Sequence, residues 1–365
     1  MVFDRRLIKN FDMWIVILCL ILGATGIAAI YSATHLNRFY SDLFLKQILW
    51  FGAGLAVMLL IILFNYRILK ELSYIIYGLS LILLLGVLFF GKSALGAQRW
   101  LRIGPFSFQP SEFAKLAFII VLAGYLTPEG MAKRILHLRD LFVPLLLLIP
   151  PFILVMEQPD MGTALVFIVI LFGMLYFAGF KIWQLLILIG IGAAILPAAW
   201  LFLRDYQRMR ILVFLNPKME PLGAGYALTQ SRITIGSGKL FGKGFLHGTQ
   251  TQLRFLPKQH TDFIFSVLGE EFGFLGAIVL LFLFLLLIYR SMKAASTRDM
   301  FGRLLVAGII SGFAFQIFVN IGMSIGLVPA TGLPLPFISY GGSSLLFTFT
   351  GIGIILNVRM RRFMF

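Results

Sequence analysis

The sequence predicts an all-α polytopic membrane protein, and three observations lead to that fold class. The 365 residues are 60% hydrophobic and only 13% charged, with a mean hydropathy of +0.96. Apolar runs recur along the whole chain, and many approach the roughly 20 residues that cross ~30 Å of hydrocarbon. Helices are expected in these runs because a lipid-exposed strand edge would leave backbone N–H and C=O groups unpaired.

The apolar runs number about ten, and we predict a transmembrane helix in each. The fourth and fifth are short, so their ends are the least well defined. The runs cover residues 12–31, 46–64, 73–91, 111–126, 141–156, 161–180, 182–203, 263–288, 304–326 and 339–357. We treat the chain, 1–365, as a single transmembrane domain, with a long loop at about 204–262 between helices 7 and 8.

The distribution of Lys and Arg predicts that both termini are cytoplasmic. With the N-terminus inside, sixteen basic residues fall on the cytoplasmic side: Arg5, Arg6, Lys9, Arg67, Lys70, Lys133, Arg134, Arg139, Lys181, Arg290, Lys293, Arg298, Arg303, Arg359, Arg361 and Arg362. The opposite short loops carry Arg38, Lys46, Lys92, Arg99 and Arg102. Basic residues concentrate on the cytoplasmic side of membrane proteins, so the long loop faces outward.

The net charge of +16 does not predict nucleic-acid binding, because the basic residues are scattered among apolar runs. The single cysteine, Cys19, lies inside the first run. Therefore neither a disulfide framework nor a thiolate metal site is expected.

The long loop is basic and glycine-rich, which favours an anionic substrate. Before Asp262 it carries nine basic residues against Asp205 and Glu220: Arg204, Arg208, Arg210, Lys218, Arg232, Lys239, Lys243, Arg254 and Lys258. Lys239 and Lys243 stand among closely spaced glycines, where backbone N–H groups can bind phosphate oxygens. Turns packed on the membrane surface explain the same glycines. Arg210 could contact either substrate or anionic lipid.

Asp262 is the only acid between Glu220 and Glu270, and it ends the loop where the eighth run begins. A carboxylate at the membrane boundary is expensive to keep without a function, so Asp262 is a candidate general base and a possible ligand of a divalent cation. A helix N-cap is the alternative reading. His260 could hydrogen-bond nearby or be structural.

Three further outward segments carry candidate residues. Arg99, beside Trp100, could grip phosphate while the indole anchors the interface. Glu112 and Lys115 are spaced to pair on one helix face, either shaping a cavity or binding a diphosphate. Asp160 follows a Gln-Pro turn and could cap the sixth helix. The last segment, 326–344, contains three prolines, and broken backbone at membrane depth is tolerated where it lines a cavity or is buried in protein.

Glu270 and Glu271 lie two turns into the eighth helix, so at least one of them faces the interior. Pairing with Lys, Arg or backbone is the favoured role, and catalysis is the alternative.

These motifs, in this order, resemble the SEDS family (shape, elongation, division and sporulation). The motifs are Gly96-Ala-Gln-Arg-Trp100, Gln109-Pro-Ser-Glu112 with Lys115, Gln158-Pro-Asp160, Pro221-Leu-Gly-Ala-Gly-Tyr226, His260-Thr-Asp-Phe-Ile-Phe265, Gly269-Glu-Glu271 and Pro334-Leu-Pro-Phe-Ile-Ser-Tyr-Gly-Gly-Ser-Ser344. The resemblance covers nearly the whole chain. Leu246-His-Gly-Thr-Gln250 is closer to the elongation (RodA-type) branch than to the division branch.

The resemblance implies a peptidoglycan glycosyltransferase that polymerises lipid II at the outer face of the bacterial cytoplasmic membrane, during elongation and rod-shape maintenance. Transfer would invert the anomeric carbon and release undecaprenyl diphosphate. The implied partners are a class B penicillin-binding protein and other membrane proteins of the elongation complex. The family's essential aspartate corresponds to Asp262, and its important arginine and lysine correspond to Arg99 and Lys115.

We also predict substrate contacts at Trp100, Glu112, Asp160, Arg210, Lys239, Lys243, His260 and Ser343. The one candidate cofactor is Mg²⁺ or Mn²⁺ at Asp262. Two other functions stay open at this point, a lipid II flippase and a non-catalytic scaffold for the penicillin-binding protein.

Overall fold

The computed structural model describes residues 10–36, 40, 42–94, 97–103, 106–127, 137–220 and 223–362. Its helices in the described residues are α1 (Met13–Thr34), α2 (Leu43–Leu63), α3 (Ile68–Glu71), α4 (Ser73–Phe90), α5 (Pro110–Tyr125), α6 (Phe142–Glu157), α7 (Met161–Ala178), α8 (Ile182–Phe202), α9 (Asp205–Leu215), α10 (Ala224–Ser237), α11 (Thr249–Gln252), α12 (Ile264–Met292), α13 (Met300–Ile325) and α14 (Gly342–Met360). Three short strands, β1 (Lys92–Ala94), β2 (Ala97–Ile103) and β3 (Phe106–Phe108), lie between α4 and α5.

Each of the ten predicted runs coincides with a helix. Within the described part of the chain, eight helical segments are long and apolar enough to cross a membrane. The other two runs hold α5, which has 16 residues, and α8, which is apolar over Ile182–Ile195. The helical membrane architecture is therefore confirmed, and the count of ten crossings stays a prediction.

The expectation of an all-α chain is wrong at residues 92–108. Here β1, β2 and β3 form an antiparallel sheet in that order. Leu101 pairs with Phe108 and Ile103 with Phe106, so only Gly104 and Pro105 separate the two strands, and both are strong turn formers. The segment predicted to be irregular therefore contains three paired strands.

Short polar side chains and one proline set where several helices begin. Asp12, Asp160 and Asp299 each accept a hydrogen bond from a backbone N–H in the first turn of α1, α7 and α13, as N-cap residues do. Pro110 is the first residue of α5, where its missing N–H costs nothing. Gly326 ends α13 in the left-handed conformation, which suits glycine.

One end of the helix bundle contains described basic residues that the distribution of Lys and Arg predicts to be cytoplasmic. Asp12, before α1, forms a 2.6 Å ion pair with Arg359 in the last turn of α14. Asp299, before α13, accepts hydrogen bonds from Tyr66 at 2.8 Å and Arg67 at 3.2 Å. The starts of α1 and α13 and the ends of α2 and α14 therefore share this basic end. Arg5, Arg6, Lys9, Arg38, Lys133 and Arg134 lie outside the described residues.

The opposite end, which we call the site end, gathers all four segments predicted to be irregular and outward-facing. Arg99 in β2 contacts the 157–160 turn, and Gln109 N–H donates to Ser343 Oγ at 3.1 Å. Tyr340 N–H donates to the carbonyl of His260 at 3.0 Å. The basic end and the site end are therefore built from different sets of loops. Gly96 and Pro221, from two of the quoted motifs, lie outside the described residues.

The predicted long loop is about half helical rather than irregular, and it is packed onto the bundle. It contains α9, α10 and α11, and Ser231 of α10 bonds Ser266 of α12 at 2.7 Å. The helix α12 is itself broken at Gly273, whose φ is 65° and ψ −161°. Behind these elements the core consists largely of the buried faces of α5, α7, α13 and α14.

Candidate active site

Asp262 lies at the site end, two residues before α12 begins. Its side chain is 22% exposed, so the carboxylate is partly buried and still reachable from solvent. It is not the N-cap of α12, a position that Phe263 occupies without a side-chain hydrogen bond. The alternative explanation of Asp262 as a helix cap is therefore wrong, and its carboxylate remains available for chemistry.

Positive charge surrounds Asp262. Lys258 Nζ lies 3.8 Å from Asp262 Oδ2, and the charges of Arg210 and Arg99 also act on this carboxyl. Burial raises the pKa of Asp262 above its ordinary value, while Lys258, a hydrogen bond from Thr261 and the two arginines lower it. A partly desolvated carboxylate with cationic neighbours is the arrangement expected of a base that works beside an anionic group.

Arg99 is held by the turn between α6 and α7. Its Nε donates to the carbonyl of Gln158 at 3.3 Å, its Nη2 donates to the carbonyl of Pro159, and Nη1 lies 3.7 Å from Asp160. Asp160 also caps α7 by accepting from Thr163 N–H at 3.2 Å and Thr163 Oγ1 at 2.9 Å. The predicted capping role of Asp160 is confirmed, and its second role is to orient Arg99.

Arg210 reaches the site from α9. Its guanidinium lies 5.8 Å from the centroid of the Tyr206 ring, a cation–π distance. Burial raises the pKa of Tyr206, whereas the charges of Arg99, Arg210 and Arg204 lower it. Three arginines, one in β2, one in α9 and one just before α9, therefore lie around the Tyr206 phenol.

His260 and Ser343 hold loops together at the same end. The His260 ring lies 5.2 Å from that of Tyr40 and 6.2 Å from that of Tyr340, and burial lowers its pKa, which favours the neutral imidazole. Ser343 Oγ accepts from Gln109 N–H and donates to the Ser107 carbonyl at 3.3 Å. These contacts are structural, and a role in binding substrate stays a prediction for both residues.

Glu112 and Lys115 form a buried ion pair one turn into α5. Lys115 Nζ lies 2.8 Å from Glu112 Oε1, and their side chains are only 4% and 9% exposed. The pair lines a small cleft together with Gln316 of α13 and apolar side chains of α7 and α14. The predicted pairing is confirmed, and the cavity that it shapes lies inside the bundle.

Lys239 and Lys243 contact the Gly273 break and the Glu270 carboxylate. Lys243 Nζ bonds Glu270 Oε1 at 2.7 Å, and the carbonyl of Lys239 accepts from Phe274 N–H at 2.9 Å. Glu270 also accepts from the N–H groups of Gln250 and Thr251, each at 2.9 Å. The interior pairing predicted for Glu270 is confirmed, and it occupies the ammonium of Lys243.

Glu271 is the second buried acid of this pair, and it too bonds within the protein. It accepts from Leu246 N–H at 3.1 Å and from the hydroxyl of Ser32, at the end of α1.

Trp100 lies in β2, opposite Lys92 in the sheet, and is half-buried. Sequence reasoning did not single out Lys258 and Tyr206 as site residues. Lys258 carried a usable signal, because it precedes Asp262 by four residues. Tyr206 carried none, since only the packing of α9 brings it to the arginines.

The described residues do not build a metal centre around Asp262. Among them, no group of three or more His, Cys, Asp or Glu side chains is placed to hold an ion, and the nearest charged partner of Asp262 is a lysine ammonium. Mg²⁺ is usually held by only one or two carboxylates together with substrate phosphates. A divalent cation at Asp262 therefore stays a prediction, and no step below is routed through one.

Comparison with known proteins identifies the family. Residues 11–363 match the model of the FtsW/RodA/SpoVE family, described as cell cycle proteins. The chain is 41% identical over 312 residues to the peptidoglycan glycosyltransferase MrdB of Escherichia coli, covering 85% of this chain and 83% of that one. It is 32% identical over 437 residues to the peptidoglycan glycosyltransferase RodA of Treponema pallidum, covering 98% and 99%.

Solved structures agree with this assignment. A chain from a study of how a peptidoglycan synthase complex coordinates polymerization and crosslinking matches with a TM-score of 0.83 and 35% identity, over 97% of this chain and 98% of that one. An aspartate-to-alanine mutant of the rod shape determining protein RodA of Thermus thermophilus matches with a TM-score of 0.73 and 33% identity, over the same shares. The chain therefore belongs to the SEDS family and is of the RodA type.

Proposed function

We propose that this protein is a peptidoglycan glycosyltransferase that polymerises lipid II, with Asp262 as the base. The observation that carries the proposal is the site end itself, where the partly exposed carboxylate of Asp262 is surrounded by Lys258, Arg210 and Arg99. Relatives with 41% and 32% identity bear the name peptidoglycan glycosyltransferase, which supports the same reaction class.

The reaction joins two lipid-linked sugars. Asp262 accepts the proton of the acceptor's sugar hydroxyl as that oxygen attacks the anomeric carbon of the donor. The carbon–oxygen bond to undecaprenyl diphosphate breaks on the opposite face, so the anomeric carbon is inverted. The leaving diphosphate takes the bonding electron pair, and its charge is met by Arg99, Arg210 and Lys258. Preorganised cations of this kind stabilise developing charge most where water is excluded.

The orientation follows from the two ends of the bundle. The basic end carries Arg67, Arg290, Lys293, Arg303, Arg359 and Arg361 among the described residues. The bias of Lys and Arg toward the cytoplasm supports the proposal that this end lies inside and that the site end lies at the outer face of the cytoplasmic membrane. The lipid tails would then lie against the apolar helices, with only the head group at the site.

A class B penicillin-binding protein is the proposed partner, together with other membrane proteins of the elongation complex. The match to a chain from a peptidoglycan synthase complex supports an assembly of this kind. A divalent cation carried in by the diphosphate remains compatible with the single carboxylate of Asp262.

The deciding experiment compares wild type with Asp262→Asn in glycan polymerisation from purified lipid II, with other polymerases blocked. We expect polymer from wild type and loss of at least about 100-fold from the variant, because a general base contributes about 10²–10⁴-fold. Each protein is assayed alone and with the penicillin-binding protein. Equal polymer from both proteins would remove Asp262 from the chemistry.

Absence of polymer from wild type, even with its partner, would favour the flippase or scaffold. A flippase is testable separately, because it would move lipid II across vesicle membranes without joining sugars. The buried Glu112–Lys115 pair and its cleft are the feature on which that alternative would depend. The scaffold predicts instead that Asp262 tolerates substitution in cells.

A further inference from the structure

The backbone on both sides of Asp262 is held at three consecutive carbonyl groups. Tyr340 N–H donates to the carbonyl of His260 at 3.0 Å, Ser339 Oγ donates to the carbonyl of Thr261 at 2.7 Å, and Asn320 Nδ2 donates to the carbonyl of Asp262 at 3.0 Å. Each of the three donors lies at least 58 residues away in the sequence. We call this set the carbonyl clamp.

Asn320 joins two segments through one amide group. Its Nδ2 also donates to the carbonyl of Leu333 at 2.8 Å, so α13 links the Asp262 carbonyl to the 326–341 segment. An asparagine amide has two N–H donors, and both are used here. The side chain is fully buried, where water cannot replace either bond.

Ser339 makes a second link of the same kind. Its Oγ accepts from Leu335 N–H at 2.8 Å while donating to the Thr261 carbonyl. Its own carbonyl accepts from Gln47 Nε2 of α2 at 3.3 Å. Among the described contacts, the Ser339 hydroxyl is the only side-chain group of this buried turn that bonds the Thr261 carbonyl.

The clamp explains how a residue outside any helix keeps a defined direction. Asp262 is followed by α12 and preceded by Lys258, whose backbone is in the left-handed region with φ 51°. The Lys258 carbonyl accepts from Thr261 N–H at 3.1 Å. The tight turn at Lys258 precedes these residues, and the clamp bonds each of the three carbonyls of residues 260–262.

We propose that Asn320 and Ser339 are positioning residues, whose side chains hold the Asp262 and Thr261 carbonyls and thereby aim the Asp262 carboxylate at the acceptor hydroxyl. This inference rests on the proposed function, because it assigns them a role in the same reaction. In this proposal neither the Asn320 nor the Ser339 side chain contacts the substrate. They act through Asp262 alone.

Four variants test the clamp. Asn320→Ala and Ser339→Ala each remove one side-chain donor, and Ser339→Thr keeps the hydroxyl. The matched control is Asn357→Ala, because Asn357 is also buried and its Nδ2 also bridges two carbonyls, those of Ile61 and Phe64, each at 2.6 Å. These contacts lie at the basic end.

The measurement is the initial rate of glycan synthesis by the purified full-length protein over a series of lipid II concentrations, with thermal unfolding of each variant. We expect kcat of Asn320→Ala and Ser339→Ala to fall about 100-fold, since a displacement near 1 Å at a reacting group costs about that much, with KM unchanged. Ser339→Thr should recover most of the rate. Asn357→Ala should lose comparable thermal stability and keep its kcat.

Three results would overturn the clamp: a wild-type kcat in both alanine variants, a loss confined to KM, or an equal loss of kcat in Asn357→Ala. Should Asn320→Ala fail to fold, the comparison of Ser339→Ala with Ser339→Thr decides alone. Asp262→Ala is assayed alongside. If Asp262→Ala is inactive and the clamp variants are normal, only the inference fails; if Asp262→Ala polymerises normally, the proposed function fails.

Discussion

At the scale of single residues, Asp262 lies in surroundings that destabilise its ionised form. Burial raises its pKa, and the nearby cations only partly offset that effect. A carboxyl whose proton is held more tightly is a better base once it is ionised. The same desolvation that would make Asp262 a stronger base therefore costs the folded protein stability.

This cost predicts an unusual dependence of stability on pH. Because the pKa of Asp262 is raised on folding, the folded state binds the proton more tightly than the unfolded state. The free energy of unfolding then falls as the pH rises from 3.8, the ordinary pKa of the carboxyl, through its pKa in the folded state. The loss is about 1.4 kcal/mol for each tenfold change in proton affinity. Asp262→Asn should therefore unfold at a higher temperature than wild type at neutral pH, with the difference vanishing in acid.

Thermal unfolding of wild type and Asp262→Asn at a series of pH values from about 3 to about 8 measures this difference in stability. Asp205→Asn is the control, because that aspartate is fully exposed and makes only a 3.8 Å contact with Arg208. Its unfolding curve should follow wild type throughout. A wild type that gains stability over Asp262→Asn with rising pH would contradict the assignment of burial as the dominant effect.

At the scale of elements, the break in α12 lets the 238–244 segment pack against the Glu270–Glu271 turn. Gly242 has a φ of 81°, and Gly244 N–H donates to the carbonyl of Glu271 at 2.9 Å. A Cβ added at Gly273 would lie 2.3 Å from the Gly242 nitrogen. The break therefore requires glycine both for conformation and for space.

We expect Gly273→Ala to lower the unfolding temperature, because a non-glycine residue in a sparsely populated backbone region costs about 1–3 kcal/mol before the clash is counted. Gly236→Ala is the matched control. Gly236 lies in α10, where an added Cβ meets nothing within 4 Å, and alanine there should stabilise by about 0.5–1 kcal/mol. Unfolding in detergent, followed by circular dichroism, compares them; equal curves would argue against a strained break.

At the scale of the whole molecule, the helices sort their connections into a basic end and a site end. Ion pairs and caps such as Asp12 with Arg359 and Asp299 with Arg67 hold the first. The sheet, the 157–160 turn, the 255–262 stretch and the 326–344 segment form the second. This separation is the structural basis for the proposed topology.

Cysteine labelling in intact cells tests that topology. In a Cys19→Ala background, a membrane-impermeant thiol reagent should label Leu253→Cys at the site end and leave Ile68→Cys at the basic end unlabelled. Both positions are exposed, at 66% and 43%. Permeabilised cells should label both, which controls for reactivity. The reverse pattern in intact cells would invert the proposed orientation.

Much of this protein could be predicted without coordinates, because the governing signals are local. Apolar length determines a spanning helix within one run of sequence, so all ten predicted runs hold helices. The position of Asp262 at the end of a basic loop, the Glu112–Lys115 pair and the cap at Asp160 are also matters of spacing over a few residues. Hairpin strands at 92–108 were missed because short apolar runs fit either structure.

Local sequence patterns do not predict which distant groups meet. The contacts of Arg99 with Gln158 and of Asn320 with Asp262 join residues 59 and 58 positions apart, and no periodicity encodes such a pair. They depend on how the helices pack, which buries certain carbonyls and obliges each to find a donor. Local sequence signals predict the helical membrane architecture and single out Asp262 as the candidate base. The packing of the helices determines what holds the Asp262 carboxylate and what surrounds it.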